Sequence, residues 1–222
     1  MQFLASVRGD NTRVGIVWSH LEALMIAESS VVVMLRIWAS PYESRSSVLM
    51  NGVDISMLEE DELARLRSDQ VGFVFQAHYL LDEFTCLENA LMPLTIRQGE
   101  ASDDERERIL RLLKRVGLED QIHKRPDEMS GGQNQRNAIV RALANAPRII
   151  LADEPTGNLD SHSGHEVFEL MREMNRESGV AFVMITHDDR LAQAADRILL
   201  IEDGLIHEIS RRSTVERVTR IG

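Results

Sequence analysis

An acidic pair follows a short apolar strand in the second half of the chain. The run Arg-Ile-Ile-Leu-Ala leads into Asp153 and Glu154, and open α/β sheets place their ligands at the carboxyl ends of their strands. One carboxylate at such an edge can hold a metal ion, and a second can activate a water molecule. Taken alone, an acidic pair after a strand is usually a solvated turn, so a second feature is needed.

A helix start with two glycines lies shortly before this strand. Ser130 can cap a helix, and Gly131 and Gly132 leave its first amides unobstructed, so that they can point at an anion. By itself a Ser-Gly-Gly turn is usually only a structural helix start. The order and spacing of the two features are harder to obtain by chance, and together they predict a phosphate site beside a metal and water site.

With these residues the chain resembles the ATP-binding subunit of ABC transporters. The matching segments are the signature motif at 130–133, the Walker B strand at 149–153, the catalytic carboxylate Glu154, the D-loop at 157–160, the Q-loop strand ending at Gln76 and the H-loop strand ending at His187. The stretch 76–89 is closest to the lipoprotein-releasing and macrolide-export branch. The resemblance covers residues 48–222, and it implies an α/β fold: a P-loop NTPase-like ATPase core with a mostly parallel sheet and a helical lobe at about 77–132.

The resemblance also implies a role for each matched residue. Asp153 would hold Mg²⁺ through its waters, and Glu154 would activate the water that attacks the γ-phosphate of ATP. His187 would donate to that γ-phosphate, and Gln76 would reach the metal or the water. Further residues would close over the nucleotide of the opposite subunit: Ser130, Gly131, Gly132, Gln133 and Asp160. Two ATP-binding subunits would therefore share each site.

The first 47 residues do not match, and they lack a P-loop. That loop needs Gly-x-x-x-x-Gly-Lys-Ser/Thr, because backbone amides wrap the β-phosphate and the lysine reaches the β and γ oxygens. No glycine lies between Gly15 and Gly52, and the only lysines are Lys114 and Lys124. The family's spacing puts the loop roughly 15 to 25 residues before Val48. Residues 24–33 lie there and read as a helix turn into a buried strand, which cannot cradle a phosphate.

Composition separates the same two regions. Residues 1–47 contain both tryptophans and balanced charges, so the net charge of -11 belongs to residues 48–222. Nearly all basic residues are arginines, which hints at GC-rich coding, where an out-of-frame sequence can run far without a stop codon. We interpret residues 1–47 as an aberrant segment before an ABC-type ATP-binding domain. A frameshifted 5′ end and a divergent N-terminus are the two explanations.

Charge and hydropathy limit the partners. A net charge of -11 argues against nucleic acid, because phosphate attachment needs a basic face. No apolar stretch reaches the roughly 18 residues that would span a bilayer, and no secretory signal pattern is present. We therefore expect a cytoplasmic chain that is peripheral on the inner face of the cell membrane. The resemblance implies transmembrane permease subunits and a second ATP-binding subunit as its partners.

Two functions remain open at this point. The first is an ATPase subunit that powers a transporter of the lipoprotein-releasing or macrolide-export type, impaired in this chain by loss of the P-loop. The second is a catalytically dead or pseudogene-derived subunit that only binds a partner subunit. Gln76, Glu154 and His187 support the first function, and the missing loop opposes it.

Overall fold

The computed structural model describes residues 14–15, 25–26, 31–36, 49–50, 53–202, 205–210 and 217–220. The chain divides into two compact units, formed by residues 1–64 with 181–222 and by residues 65–180. The strands are β1 (Val14–Gly15), β2 (Met25–Ile26), β3 (Val31–Arg36), β4 (Leu49–Met50), β5 (Val53–Asp54), β6 (Val71–Phe75), β7 (Ile149–Asp153), β8 (Ala181–Thr186), β9 (Arg197–Glu202), β10 (Leu205–Ser210) and β11 (Arg217–Arg220). The helices are α1 (Glu60–Gln70), α2 (Cys86–Gln98), α3 (Asp103–Arg115), α4 (Gly131–Ala142), α5 (Ser161–Ser178) and α6 (Asp189–Ala194), with short 3-10 turns at Ile55–Met57, Glu119–Gln121 and Pro126–Glu128.

The unit of residues 65–180 is built on the parallel pair of β6 and β7. Val71 lies opposite Ile149 at one end of this ladder, and Phe75 lies opposite Asp153 at the other. The apolar residues of β7 are largely buried, as is typical of parallel strands that are covered on both faces. Helix α4 packs against β6, and helices α2, α3 and α5 pack against α4. The sheet edge at Asp153 is therefore held by an apolar core.

Capping residues set the starts of four helices in this unit. Thr85, Ser102 and Ser130 begin α2, α3 and α4, each with a reciprocal capping box, and Asp160 begins α5. Each cap satisfies backbone amides that the first helical turn leaves without partners. The helix start that the sequence predicts at Ser130 is confirmed.

The unit of residues 1–64 with 181–222 contains a second sheet core. Strand β3 lies between β8 and β9 and is parallel to both, and β9, β10 and β11 continue as an antiparallel meander. Helix α6 packs against β3 and β8. The short strands β1, β2, β4 and β5 pair antiparallel with one another.

Residues 24–33 differ in part from the expectation of a helix turn that leads into a strand. The strand is confirmed, because β3 begins at Val31. The predicted helix turn is wrong at Met25–Ile26. These two residues form strand β2, because they pair with Val14–Gly15 of β1 earlier in the chain. Residues 24 and 27–30 lie outside the described residues.

The expected fold class is confirmed. The core pairs β3 with β8, β3 with β9, and β6 with β7 are all parallel, and along the chain helices separate β6 from β7, β7 from β8, and β8 from β9. The division at residue 48 and the helical lobe at 77–132 stay predictions. Among the described residues, no helix combines the length and the apolar character needed to cross a membrane.

The close packing of α4 on β6 predicts that Gly72→Ala destabilises the protein. The added Cβ would clash with the carbonyl oxygen of Ala142 and would lie 3.1 Å from Cγ1 of Ile150, and overpacking of this kind costs about 1 to 3 kcal/mol. In Gly164→Ala the new Cβ would meet nothing nearer than Thr156 Cβ at 3.4 Å. That control should keep its stability or gain up to about 1 kcal/mol of helix propensity. Urea unfolding measures the free energy of unfolding of each variant. Equal values for Gly72→Ala and Gly164→Ala would contradict the close packing of α4 on β6.

Candidate functional site

Asp153 and Gln76 lie at neighbouring strand ends. Asp153 is the last residue of β7 and lies opposite Phe75, the last residue of β6, which Gln76 follows directly. Both Asp153 and Gln76 are exposed. The parallel register therefore brings a carboxylate and a side-chain amide to the same edge of the sheet.

The donor set at this edge fits Mg²⁺. This ion prefers oxygen ligands and keeps several waters, so that one or two carboxylates beside substrate phosphates are enough to hold it. Asp153 supplies a carboxylate, and Gln76 can supply its Oε1, because its hydrogen bond to Asn158 uses Nε2. Within the described residues, no cluster of three or more His, Cys, Asp or Glu side chains could hold a metal. Phosphate oxygens and water would therefore have to complete the site.

Glu154 occupies a strained backbone position directly after β7. Its φ of 44° lies in the left-handed region, which costs a residue other than glycine about 1 to 3 kcal/mol and is concentrated at functional sites. The amide of Gly157 donates to the Glu154 carbonyl oxygen at 3.0 Å and closes the turn. Glu154 is half-buried, whereas the preceding Asp153 is exposed. The two adjacent carboxylates therefore have different environments.

Gln76 and Asn158 hold each other by two hydrogen bonds. The Nε2 of Gln76 donates to Oδ1 of Asn158 at 3.0 Å, and Nδ2 of Asn158 donates to the Gln76 carbonyl oxygen at 3.0 Å. The neighbouring Gly157 allows this approach, since a Cβ there would lie 2.8 Å from the Gln76 Nε2. Asn158 lies inside the matched segment 157–160, but its contact with Gln76 was not predicted from the sequence. Its amide side chain in a glycine-containing loop was the available signal.

Helix α4 presents its first turn at an exposed start. The Ser130 Oγ accepts from the Gln133 amide at 3.2 Å, and the Gln133 Oε1 accepts from the Ser130 amide at 2.9 Å. The amides of Gly131 and Gly132 take no part in this capping box. Amides at a helix N-terminus and the helix dipole both favour an anion. The start of α4 can therefore receive a phosphate group.

The start of α4 lies beside the start of α5. A Cβ at Gly131 would lie 3.4 Å from Leu159 Cδ2, and one at Gly132 would lie 3.5 Å from Ser163 Cβ. Asp160 caps α5, and its carboxylate accepts from the Ser163 amide at 3.1 Å. Hydrogen bonds from the Ser163 side chain and backbone lower the pKa of Asp160. Asp160 is therefore negatively charged at neutral pH, next to the glycine pair.

His187 belongs to the unit of residues 1–64 with 181–222. It follows β8, whose last residue Thr186 is buried, and it is itself exposed. The Asp188 amide donates to the Thr186 Oγ1 at 3.1 Å, and Asp188 then caps α6. The expected order of a buried strand and then a histidine is confirmed. The approach of His187 to Asp153 stays a prediction.

The loop after β6 is fastened to α4. His78 and Tyr79 both have positive φ, at 59° and 48°. Arg141 donates to the His78 carbonyl oxygen at 2.5 Å and also to the Tyr79 carbonyl oxygen. Gln135, which is fully buried, donates to the Phe75 carbonyl oxygen at 3.3 Å and is hydrogen-bonded to the His78 ring.

Neither of these α4 side chains, Gln135 and Arg141, was predicted from the sequence to contact the loop. Gln135 shares a helical stripe with Ala138, Ile139 and Ala142, all of which are buried, and a polar residue on a buried stripe normally has a specific partner. That pattern was a usable signal. No comparable sequence pattern marks Arg141, because its acceptors are backbone carbonyl oxygens of a loop more than sixty residues away in the chain.

Comparison with protein families and curated proteins gives consistent matches. A family model described as ABC transporter matches residues 29–157, and therefore begins earlier than the resemblance at Val48. The lipoprotein-releasing system ATP-binding protein LolD of Anaeromyxobacter dehalogenans is 51% identical over 159 residues, which are 72% of this chain and 66% of that protein. LolD 1 of Rhodopseudomonas palustris is 48% identical, and a LolD of Legionella pneumophila is 42% identical. The chain spans about two thirds of the length of these relatives.

Solved structures with the same fold are ATP-binding cassettes. The dimeric structure of the bacterial ABC transporter cassette MJ0796 has a TM-score of 0.74 and 34% identity, over 91% of this chain and 97% of that one. A post-hydrolysis dimer of the same cassette, bound to ADP and Pi, has a TM-score of 0.74 and 32% identity, over 95% and 97%. The cbiO1 structure from Clostridium perfringens, at 22% identity and a TM-score of 0.72 over 88% and 84%, supports the fold alone.

The two hydrogen bonds between Gln76 and Asn158 predict that Asn158→Ala frees the Gln76 side chain. Its Nε2 would lose its acceptor, so the side-chain amide resonances should move toward the positions of a solvated glutamine. The free energy of unfolding should fall by about 1 to 3 kcal/mol, as for the two hydrogen bonds that the Asn158 side chain makes. Asn134→Ala is the control, because it removes a hydrogen bond to the Pro126 carbonyl oxygen instead. A Gln76 signal that is unchanged in Asn158→Ala would contradict the pair.

Proposed function

Because the chain belongs to the ABC transporter family, we propose that it is an ATP-binding and ATP-hydrolysing subunit of a transporter of the lipoprotein-releasing or macrolide-export type. The juxtaposition of Gln76, Asp153 and Glu154 at neighbouring strand ends carries the proposal. The relatives' name supports lipoprotein release, and the dimeric cassettes support a two-subunit assembly. The transmembrane permease would hold the chain at the inner face of the membrane.

The two carboxylates and their neighbours would each have a separate role in the hydrolysis of one ATP molecule. A bound Mg²⁺ would neutralise phosphate charge. Asp153 would hold it through its waters, and the half-buried Glu154 would orient the attacking water and accept its proton. Gln76 would contact the metal or the water, and the exposed His187 would donate to the γ-phosphate.

The start of α4 would serve the nucleotide of a second subunit. Ser130 to Gln133 offer amides and a hydroxyl at an exposed helix start, and Asp160 lies close to them. The Asp160 carboxylate is occupied by the cap of α5, so this surface offers hydrogen-bond donors to a phosphate and not a base for a water molecule. It would therefore complete a site whose P-loop belongs to the partner.

We further propose that this chain cannot hold the β-phosphate of its own nucleotide. A P-loop lies between a strand and a helix. Strand β3 is followed in sequence by Ile-Trp-Ala-Ser-Pro-Tyr-Glu-Ser, which has neither glycine nor lysine. Neither Lys114 nor Lys124 follows a glycine, so no Gly-Lys pair exists in the sequence. The amides and the lysine that bind the β-phosphate would thus be missing.

A catalytically dead subunit is the second candidate, and the missing P-loop favours it. In this alternative, the chain only binds a partner subunit through the surface at Ser130. The two candidates differ in one measurable property. An impaired ATPase subunit completes a functional site in a dimer, and a dead subunit does not.

We expect that the purified chain alone neither binds MgATP tightly nor hydrolyses it. Loss of one charge-stabilising donor costs about 10²- to 10³-fold in rate, and loss of the whole loop should remove binding itself. Calorimetric titration with MgATP tests this, with the LolD of Anaeromyxobacter dehalogenans as the positive control. Glu154→Gln should change nothing in an inactive chain. Micromolar affinity, together with turnover that Glu154→Gln abolishes, would instead show that a segment of residues 1–47 replaces the P-loop.

In a mixed dimer, we expect Ser130→Arg to abolish hydrolysis. The partner would be a LolD relative with an intact P-loop and with its own signature serine changed to arginine, so that its homodimer is inactive. Adding this chain should restore ATPase activity through the surface at Ser130, and the Ser130→Arg form should restore none, because a bulky cation covers the helix start.

Ser130→Ala separates the lost cap from the blocked surface. It removes the capping hydroxyl, which costs about 1 kcal/mol, but it adds no bulk. We expect partial restoration from this control. If wild-type chain restores no activity despite dimer formation, the shared site is wrong and the dead-subunit candidate stands.

A further inference from the structure

We propose that Arg141 is a positioning residue that fastens the Gln76 loop, defined as residues 76–84, to helix α4. Gln135 is the second anchor on the same helix. Neither residue has a role in the nucleotide site described above. Both act on Gln76 through the backbone that carries it.

The guanidinium of Arg141 bridges two consecutive carbonyl oxygens. It donates to the His78 oxygen at 2.5 Å through Nη2 and to the Tyr79 oxygen through Nη1. A planar fork of donors matches such a pair of acceptors, which a single ammonium group cannot do. Burial lowers the pKa of Arg141, and within the described residues its charge enters no ion pair. Arg141 is half-buried, and hydrogen bonds from a charged group contribute more to stability than neutral ones.

The loop needs these anchors because its backbone is strained. His78 and Tyr79 are consecutive residues in the left-handed region, at φ 59° and 48°. Side chains other than glycine persist there only when surrounding structure holds them. Within the loop itself the Tyr79 amide reaches only the Ala77 carbonyl oxygen, at 2.6 Å. Arg141 and Gln135 on α4 supply contacts to the two strained residues from outside the loop.

A different residue holds the far end of the same loop. Asn89 of α2 is buried, accepts from the Leu81 amide at 2.8 Å and donates to the Leu81 and Phe84 carbonyl oxygens at 3.0 Å. Since α2 packs against α4, both ends of the Gln76 loop are attached to one pair of helices. Arg141 contacts the end that carries Gln76, where Asn158 also binds the Gln76 side chain.

The consequence for nucleotide binding rests on the proposed function. Helix α4 begins next to Ser130 and carries Arg141 in its last turn. Its 12 residues span about 18 Å of rigid helix. A phosphate held at the start of α4 would therefore restrain the Gln76 loop through Arg141. The proposal predicts that a nucleotide at the Ser130 surface protects that loop.

Hydrogen–deuterium exchange of the full chain tests the anchor itself. In Arg141→Met the amides of residues 77–80 should exchange about tenfold faster or more, as expected for local opening. Arg108→Met is the matched control, because Arg108 also donates to two carbonyl oxygens, those of Leu143 and Ala144. It should leave residues 77–80 unchanged. Arg141→Lys should recover part of the protection by reaching one carbonyl at a time.

Three outcomes of this first experiment are decisive. Faster exchange confined to the Gln76 loop in Arg141→Met, with partial rescue by Lys, supports the anchor. Unchanged exchange at residues 77–80 overturns it. Equal loosening of the whole unit of residues 65–180 by Arg141→Met and Arg108→Met also overturns it, since that would be a general loss of stability.

A second experiment uses MgATP and the mixed dimer with the LolD relative. Protection of residues 131–134 and 77–80 in the wild type, but only of 131–134 in Arg141→Met, supports transmission through α4. Equal protection of both segments in Arg141→Met overturns transmission. Absence of protection at residues 131–134 in the wild type contradicts the shared nucleotide site, whereas the anchor is still decided by exchange in the chain alone.

Discussion

Strands β6 and β7 end side by side because their parallel ladder pairs Phe75 with Asp153. One residue further along each strand, this register places Gln76 and Glu154. A shift of one residue would turn every side chain of the shifted strand to the other face. The buried residues of both strands and the close contact of Gly72 with α4 hold the register in place. The carboxylate and amide groups of the candidate site depend on this apolar packing.

The candidate site has two parts that favour ligands of opposite charge. Asp153 and Glu154 add negative charge at the edge of an already acidic chain, and they suit a hydrated cation. The start of α4 offers amides and suits an anion. ATP with Mg²⁺ carries both kinds of group, so the proposed nucleotide between two subunits would engage the carboxylates of one chain and the helix start of the other. The absence of the P-loop pattern from this sequence underlies the proposed dependence on a partner subunit.

Side-chain amides and one guanidinium connect these two parts within the unit of residues 65–180. Asn158 binds Gln76 from the loop that leads to Asp160. Gln135 and Arg141 bind the Gln76 loop from α4. Loops are the mobile parts of most folds, and this one instead has buried polar contacts at each end. Of the four described non-glycine residues with positive φ, His78, Tyr79 and Glu154 lie in the two loops that would meet the nucleotide, and Ala146 lies between α4 and β7.

The sequence by itself determined the features that depend only on residues close together in the chain. Ser130 predicts its helix start because a cap acts within three residues, and the apolar run before Asp153 predicts β7 because burial on both faces requires such a run. The motifs at 130–133 and 149–160 likewise indicate the family, since each is a short local pattern. Only the tertiary structure decided the partners of Asn158 and Arg141, and it replaced the expected helix turn at Met25–Ile26 with a strand. Those contacts join residues distant in the chain, and no local periodicity specifies which backbone a long-range fold will bring within reach of a side chain.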